Sequence, residues 1–381
     1  FFKGIRRVRP GETAVASSQK VVRFVELPES SGQRGAGQRP CPLELRNRIQ
    51  ASLGNCHVRH GPRLIYSVSG GLDSSTLACL RSSVANSRTL AGAMVSPSGL
   101  AWEPPERIKA LESSHDLIVK RVNVESINCI SYCRRQPDPT WGPMPFVTYA
   151  YLDKFMRKMV DETDCSAIVW GVDADWLFRA QLADLLLEIL KAPTLRKRSK
   201  ALFRFIRVFG VPKLTGQFVR SLVPSLHQLV SSARSRFRKD GLLWRDASRW
   251  VNLPENEEAH GLQSKEVSGR NMRRFQTNRW ENYIRQLEAQ SRRHGIGFEL
   301  PYMDKRVRNY VLSLPATSLI NKHGQQRMML RRVASMVGVP TKISCGTKTG
   351  FADGLVERDL SRRSSDRIRE LFDGSKLSRA G

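Results

Sequence analysis

Leu64-Ile65-Tyr66-Ser67-Val68, followed without a break by Ser69-Gly70-Gly71-Leu72-Asp73-Ser74-Ser75, is the stretch that decides how this 381-residue chain folds. The first five residues form an apolar run short enough for a buried strand, and Leu72 to Arg81 carry the pattern of a helix. The two glycines at the junction let the backbone pass close to a ligand. The helix that follows aims free N–H groups and its dipole at an anion. Ser69, Ser74 and Ser75 add hydroxyl donors to that end. A P-loop would place Gly-Lys-Ser/Thr at this turn; here no lysine is present and Asp73 stands in the first helical turn. A carboxylate beside a polyphosphate is repelled unless a divalent cation lies between them, so Asp73 implies Mg²⁺. A Ser- or Asp-capped helix after a glycine turn is the purely structural alternative for any Gly-Gly segment.

Outward from this junction, strands and helices alternate. Gly92 to Val95, Val119 to Val124 and Ala167 to Trp170 read as further strands with helices between them, which predicts a doubly wound, mostly parallel α/β sheet. Before the junction, Leu43, Leu45, Ile49 and Leu53 fall on one helical face. Earlier still, Val21 to Val25 reads as a strand remnant, followed by a linker from Glu29 to Pro42. Residues 179–300 are helical in pattern, and between Lys191 and Lys239 there are thirteen Lys or Arg and no Asp or Glu. Leu202, Phe203, Phe205, Ile206 and Phe209 interleave there with Arg204 and Arg207. This is either a solvated basic face or a surface for an acidic peptide, another partner or anionic lipid.

Composition bounds the rest. The chain has 63 Lys+Arg against 35 Asp+Glu, a net charge of +28, and a pI near 10.5. That balance invites nucleic acid, an acidic membrane surface or an acidic peptide without choosing among them. Mean hydropathy is −0.38, no run approaches the roughly 18 apolar residues of a membrane span, and there is no secretory signal. The seven cysteines form no CxxC pair, and Cys129 and Cys133 have no second ligand pair at finger-like spacing, so packing thiols in a reduced compartment are expected rather than zinc. The sequence begins at Phe1 rather than Met, so a preceding segment is expected.

The heptapeptide Ser69 to Ser75 resembles the PP-loop of the ATP pyrophosphatases, which cleave ATP between the α- and β-phosphates and attach AMP to a substrate oxygen. Later motifs point to the asparagine synthetase-like branch. Trp170-Gly171-Val172-Asp173-Ala174-Asp175-Trp176-Leu177-Phe178 resembles that branch's Ser-Gly-Glu-Gly-x-Asp-Glu-x-Phe, and Pro301-Tyr302-Met303-Asp304 resembles its Pro-Phe-x-Asp. Gly324 to Arg331 follows Gly-x-x-Lys-x-x-Leu-Arg with Arg327 in place of the lysine, and Lys348 to Phe351 follows Lys-x-Gly-Phe. Phe1 to Gly11 is similar to the close of an N-terminal glutaminase-like domain.

This resemblance implies an adenine nucleotide alpha-hydrolase-like fold of the asparagine synthetase C-terminal type over residues 43–381. The end of a glutaminase-like domain and a linker would occupy residues 1–42. It implies ATP contacts at Ser69, Gly70, Gly71, Asp73, Ser74, Ser75, Met94, Val95 and Gly171, Mg²⁺ on Asp73 and Asp175, and catalytic roles for Lys348 and Arg327. An amine attacking an acyl-adenylate builds negative charge on the carbonyl oxygen and the departing phosphate. A fixed cation such as Lys348 lowers that barrier, a type of contact worth about 3–4 kcal/mol.

Three departures narrow the branch. Val172 stands where asparagine synthetases carry Glu, and Trp176 stands where the acid after the metal-binding Asp belongs. Gly297 aligns with a Glu of β-lactam-forming relatives. Glu299 and His294 lie nearby, and structural roles are expected for both. With its basic middle and the Leu242-to-Arg245 and Trp250-Val251 segments, the chain looks like the lasso peptide cyclases. Those bacterial asparagine synthetase homologues adenylate an Asp or Glu side chain of a precursor peptide, so that its N-terminal amine closes a macrolactam. The resemblance implies ATP and Mg²⁺ as cofactors, the precursor core peptide as substrate, and a leader peptidase and leader-recognition protein as partners. It implies a bacterial cytoplasmic setting, with peripheral membrane contact open and no nucleic acid. An ammonia-using amidotransferase and a tRNA-modifying PP-loop enzyme are the alternatives. Ser96-Pro97-Ser98-Gly99 lacks the His-rich segment of lysidine synthetases, and the retained Asp73 and Asp175 argue against a non-catalytic scaffold.

Overall fold

The computed structural model describes residues 12–16, 22–26, 39–82, 89–95, 105–125, 127, 149–180, 185, 194–209 and 278–346. Lys348 to Phe351, Phe1 to Gly11, Cys129, Cys133 and the Leu242-to-Arg245 and Trp250-Val251 segments lie outside them.

A short antiparallel ribbon of β1 (Glu12–Ala16) and β2 (Val22–Glu26) precedes the main body. Helix α1 (Pro42–His60) leads into β3 (Leu64–Ser67), and the glycine turn into α2 (Leu72–Ser82). Then come β4 (Thr89–Val95), α3 (Pro105–Ser114), β5 (Leu117–Asn123), α4 (Tyr149–Glu162) and β6 (Ala167–Val169). After β6 follow α5 (Ala174–Leu177), α6 (Leu195–Phe209), α7 (Asn278–His294) and β7 (Gly297–Glu299). A 3-10 turn at Pro301–Met303, α8 (Lys305–Ser313), a second 3-10 turn at Ala316–Ser318, α9 (Met328–Met336) and α10 (Thr341–Ser344) complete the described chain.

The five strands β5-β4-β3-β6-β7 form one sheet in which every neighbouring pair is parallel. Alternate strand residues feed two cores. Leu64 and Tyr66 of β3, Ala91 and Ala93 of β4, and Ala167 and Val169 of β6 pack with α1, α2, α3, α8 and α9. Ile65 and Ile168 point the other way, towards Phe155 and Met156 of α4 and Leu287 of α7. Burial on both faces is what makes these strands nearly continuous apolar runs. Contact between α4 and β4 is close enough that a Cβ on Gly92 would come within 2.7 Å of Met159 and Phe155.

The strand order reverses direction at β3, so the carboxyl ends of β3 and β6 flank the topological switch point, where open α/β sheets open a crevice. Ser69 to Gly71 leave the end of β3 and Gly171 to Asp175 leave the end of β6, so both motifs meet there.

Two expectations need correction. Leu45, Ile49 and Leu53 do line the buried face of α1, but Leu43 in its first turn is 48% exposed. The stretch 179–300 is not uniformly helical, because β7 lies within it; three residues, Gly-Phe-Glu, are too few to show a two-residue alternation.

Candidate active site

Gly70 takes a left-handed φ of 68°, which turns the chain out of β3 into α2. The Ser74 hydroxyl closes the turn, accepting from the Ser69 amide at 3.1 Å and lying 3.1 Å from the Ser69 hydroxyl. From β6, Gly171 presses onto this helix start. A Cβ there would meet the Ser74 amide nitrogen at 2.7 Å, so only glycine allows the two motifs to touch. Met94, buried, and Val95, half-buried, end the neighbouring strand β4. Ser75 is fully buried with an unpartnered hydroxyl, so it faces the interior rather than the crevice.

Asp73 and Asp175 converge. A single guanidinium nitrogen, Nη1 of Arg327, donates to both oxygens of Asp73 at 2.9 and 2.8 Å and to Oδ1 of Asp175 at 2.9 Å. The Arg327 side chain is 9% exposed, that of Asp73 15% and that of Asp175 35%. Among the described residues no group of three His, Cys, Asp or Glu could hold a metal. Two carboxylates aimed at one point are hard oxygen donors that fit Mg²⁺, which binds through one or two carboxylates and completes its shell with waters and substrate phosphates.

Arg327 is delivered by a strapped loop. Asn321 closes the turn to Gln325, and Ile320 bridges Gln326. The Gln326 amide is clamped on both sides of Ala180, accepting from its N–H at 3.0 Å and donating to its carbonyl at 3.3 Å. Arg327 itself sits at φ 64°, ψ 33°, a left-handed conformation that costs an L-residue about 1–2 kcal/mol, at the start of α9.

The sequence motifs interlock beneath this cluster. The fully buried Tyr302, from Pro301 to Asp304, donates its hydroxyl to the Asp73 carbonyl at 2.8 Å. Its ring meets Phe178, the end of the Trp170 motif, edge-on at 5.4 Å. Burial first, and then the Asp73 charge, hold the Tyr302 phenol well above its ordinary pKa, so it stays a donor. The motif's Asp304 instead caps α8, accepting from the Arg306 amide at 2.8 Å and pairing with its guanidinium, which holds its carboxyl below the usual range. Arg331 of α9 donates to the carbonyls of Ser344 and Gly346, the end of the described chain.

Asp173 went unrecognised in the sequence. It occupies the second glycine of the Ser-Gly-Glu-Gly segment, at φ 70°, with its buried Oδ2 unpartnered. Burial pushes its carboxyl up to about 7. An acid replacing a motif glycine was the available signal. Val172 packs half-buried against the core on the α4 side, and Trp176, beside Asp175, is 55% exposed. Gly297 pairs with Ala167 at the amino ends of the strands, two residues short of the crevice. Its missing acid therefore carries no weight for the substrate, and the departures at Val172 and Trp176 bear that reading. Glu299 is bound by Arg59 at 2.6 Å and His60 at 2.9 Å. Burial alone would raise its pKa, but these contacts outweigh it and lower it. His294 is bound to Asp153 at 2.8 Å. Both are thus held in ion pairs.

A parallel sheet with a Ser-Gly-Gly turn, a helix N-terminus and paired aspartates at its switch point has the build of an anion-binding α/β crevice, without the P-loop lysine. Comparison with family models supplies the rest. The asparagine synthase model matches residues 44–381, and the chain belongs to that family, whose members are ATP-dependent ligases that make amide C–N bonds. Comparison with curated proteins finds no match. No helix among the described residues is long and apolar enough to cross a membrane.

Proposed function

We propose that this ligase activates a side-chain carboxylate of a ribosomal precursor peptide as its adenylate, releasing pyrophosphate, and that the peptide's N-terminal amine then displaces AMP to close a macrolactam. The observation that carries the nucleotide half is the convergence of Asp73 and Asp175 at the switch point, above the Ser69-to-Ser75 turn. In this reading the α2 N-terminus and the serine and glycine backbone bind ATP, with Met94, Val95 and Gly171 on its flanks. Asp73 and Asp175 hold Mg²⁺, which when bound neutralises the phosphates and the leaving pyrophosphate. Arg327 and Lys348 supply fixed positive charge where the transition state develops negative charge.

The peptide half is supported by what replaces the substrate-side acids. At Val172 the chain is apolar and packed into the core, and at Trp176 a large exposed aromatic lies beside Asp175. That exposed ring suits a peptide's apolar surface better than a free amino acid or ammonia. A leader peptidase and a leader-recognition protein would deliver the core peptide in a bacterial cytoplasm.

The test is pyrophosphate release from ATP with the processed precursor peptide, with free aspartate plus ammonia, and with tRNA. Release that only the peptide triggers, with loss of one water from its mass, is expected. Release driven by aspartate and ammonia would make the chain an amidotransferase, and stimulation by tRNA would make it an RNA-modifying enzyme.

A further inference from the structure

Three carboxylate oxygens meet one nitrogen of Arg327 at 2.8–2.9 Å, at the point where a divalent cation shared by Asp73 and Asp175 would have to sit. Without a cation these two acids, converging in a half-buried crevice, would repel each other. A guanidinium cannot escape by losing its proton, so its charge is permanent. It takes up carboxylate oxygens that a metal would need, and Arg327 and a bound divalent cation therefore exclude each other.

The backbone leaves one way out. Gln326 is clamped to Ala180, Met328 donates to the Leu319 carbonyl at 3.0 Å, and Arg331 continues α9 by donating to the Arg327 carbonyl at 2.9 Å. With its Cα held at φ 64° between these anchors, Arg327 can leave only by swinging its side chain. It needs an anion to swing to, since a cation bound alone would leave the guanidinium facing a like charge.

We infer that Arg327 is the resident counter-cation of the metal site: it holds Asp73 and Asp175 together before nucleotide binds, blocks entry of a free divalent cation, and is released onto the nucleotide's phosphates when metal and nucleotide arrive together. The inference rests on the nucleotide-site half of the proposed function, not on the identity of the peptide. Its consequence is ordered loading, in which metal is admitted as the metal–nucleotide complex.

The experiment is titration of the full-length, nucleotide-free protein with Mn²⁺ as probe, followed by electron paramagnetic resonance, on wild type, Arg327→Gln and Arg327→Lys. Wild type is expected to bind free Mn²⁺ at least tenfold more weakly than Arg327→Gln, with Arg327→Lys between them. Free Mn²⁺ affinities equal within twofold in all folded forms overturn it. A second measurement needs no variant. In ¹⁵N-arginine-labelled wild type, a guanidinium N–H protected from exchange is expected without nucleotide and to shift on adding Mg²⁺ with ATP, but not on adding millimolar Mg²⁺ alone. Equal shifts with Mg²⁺ alone overturn the inference. ATP affinity measured separately without peptide tells a failed inference from a failed nucleotide site.

Discussion

Replacing Asp173 with asparagine is expected to stabilise the protein above about pH 4, and most fully at neutral and alkaline pH. Asparagine keeps the size of the side chain and tolerates the left-handed backbone at φ 70°, so the substitution isolates the charge. Burial lifts the Asp173 carboxyl from 3.8 to about 7 in the folded chain, whereas in the unfolded chain it titrates near its ordinary value. Below about pH 4 the group is protonated in both states and costs nothing. Between about pH 4 and 7 it ionises only in the unfolded chain, which favours unfolding, and above the folded value the penalty is complete. The step from 3.8 to about 7, at about 1.4 kcal/mol per pH unit, sets a ceiling of about 4 kcal/mol, and partial solvent access brings the expected gain to about 2–4 kcal/mol. The assay is urea denaturation of both proteins in EDTA from pH 4 to 8.5. Midpoints should coincide at pH 4 and separate progressively, with the asparagine variant more stable at pH 8. A gain independent of pH, or a less stable variant at pH 8, would refute a buried, unpaired carboxyl at this position.

Under the proposed function, Asp73→Ala or Asp175→Ala should cut pyrophosphate release with the precursor peptide by at least a thousandfold; full activity in either variant would sink the nucleotide assignment. Tyr302→Phe deletes the hydrogen bond to the Asp73 carbonyl and should cost about 1 kcal/mol, seen as a several-fold weaker ATP Kd with a small loss of stability. Arg331→Met frees the Ser344 and Gly346 carbonyls, so kcat should fall more than ATP affinity; a pure loss of ATP binding would contradict a role for Arg331 in holding Ser344 to Gly346. Gly92→Val would drive a side chain into Phe155 and Met159 and should destabilise by about 3 kcal/mol or more, read by thermal unfolding.

The parts of this fold that could be read in advance were those whose pattern is local. The five-residue run Leu64 to Val68 and the Gly-Gly turn after it are complete within a dozen residues, and they correctly place β3, α2 and the crevice. Asp175 was legible because it sits in a recognisable segment. Asp173 shows what was not: it stands at a position of positive φ, a backbone property that Gly in the motif hints at but that an Asp does not advertise. Arg327 was marked by its motif, but its bonds to both Asp73 and Asp175 were not. The bond from Tyr302 to the Asp73 carbonyl joins a side chain to a backbone group 229 residues away, and nothing in either local pattern announces it. The short strand β7 escaped because its position is set by pairing with β6, not by its own three residues.

The contacts that knit Asp73 to the rest of the site reach forward 229 residues to Tyr302 and 254 to Arg327. As the chain emerges from the ribosome, the Ser-Gly-Gly turn is therefore made before its bonds to Tyr302 and Arg327 can form, in the last third of the chain. Loop closure over such distances is slow to nucleate. The practical outcome is a built-in delay: a truncated or half-made chain exposes a phosphate turn but not the assembled centre, and so has no means of spending ATP before the whole ligase domain is in place.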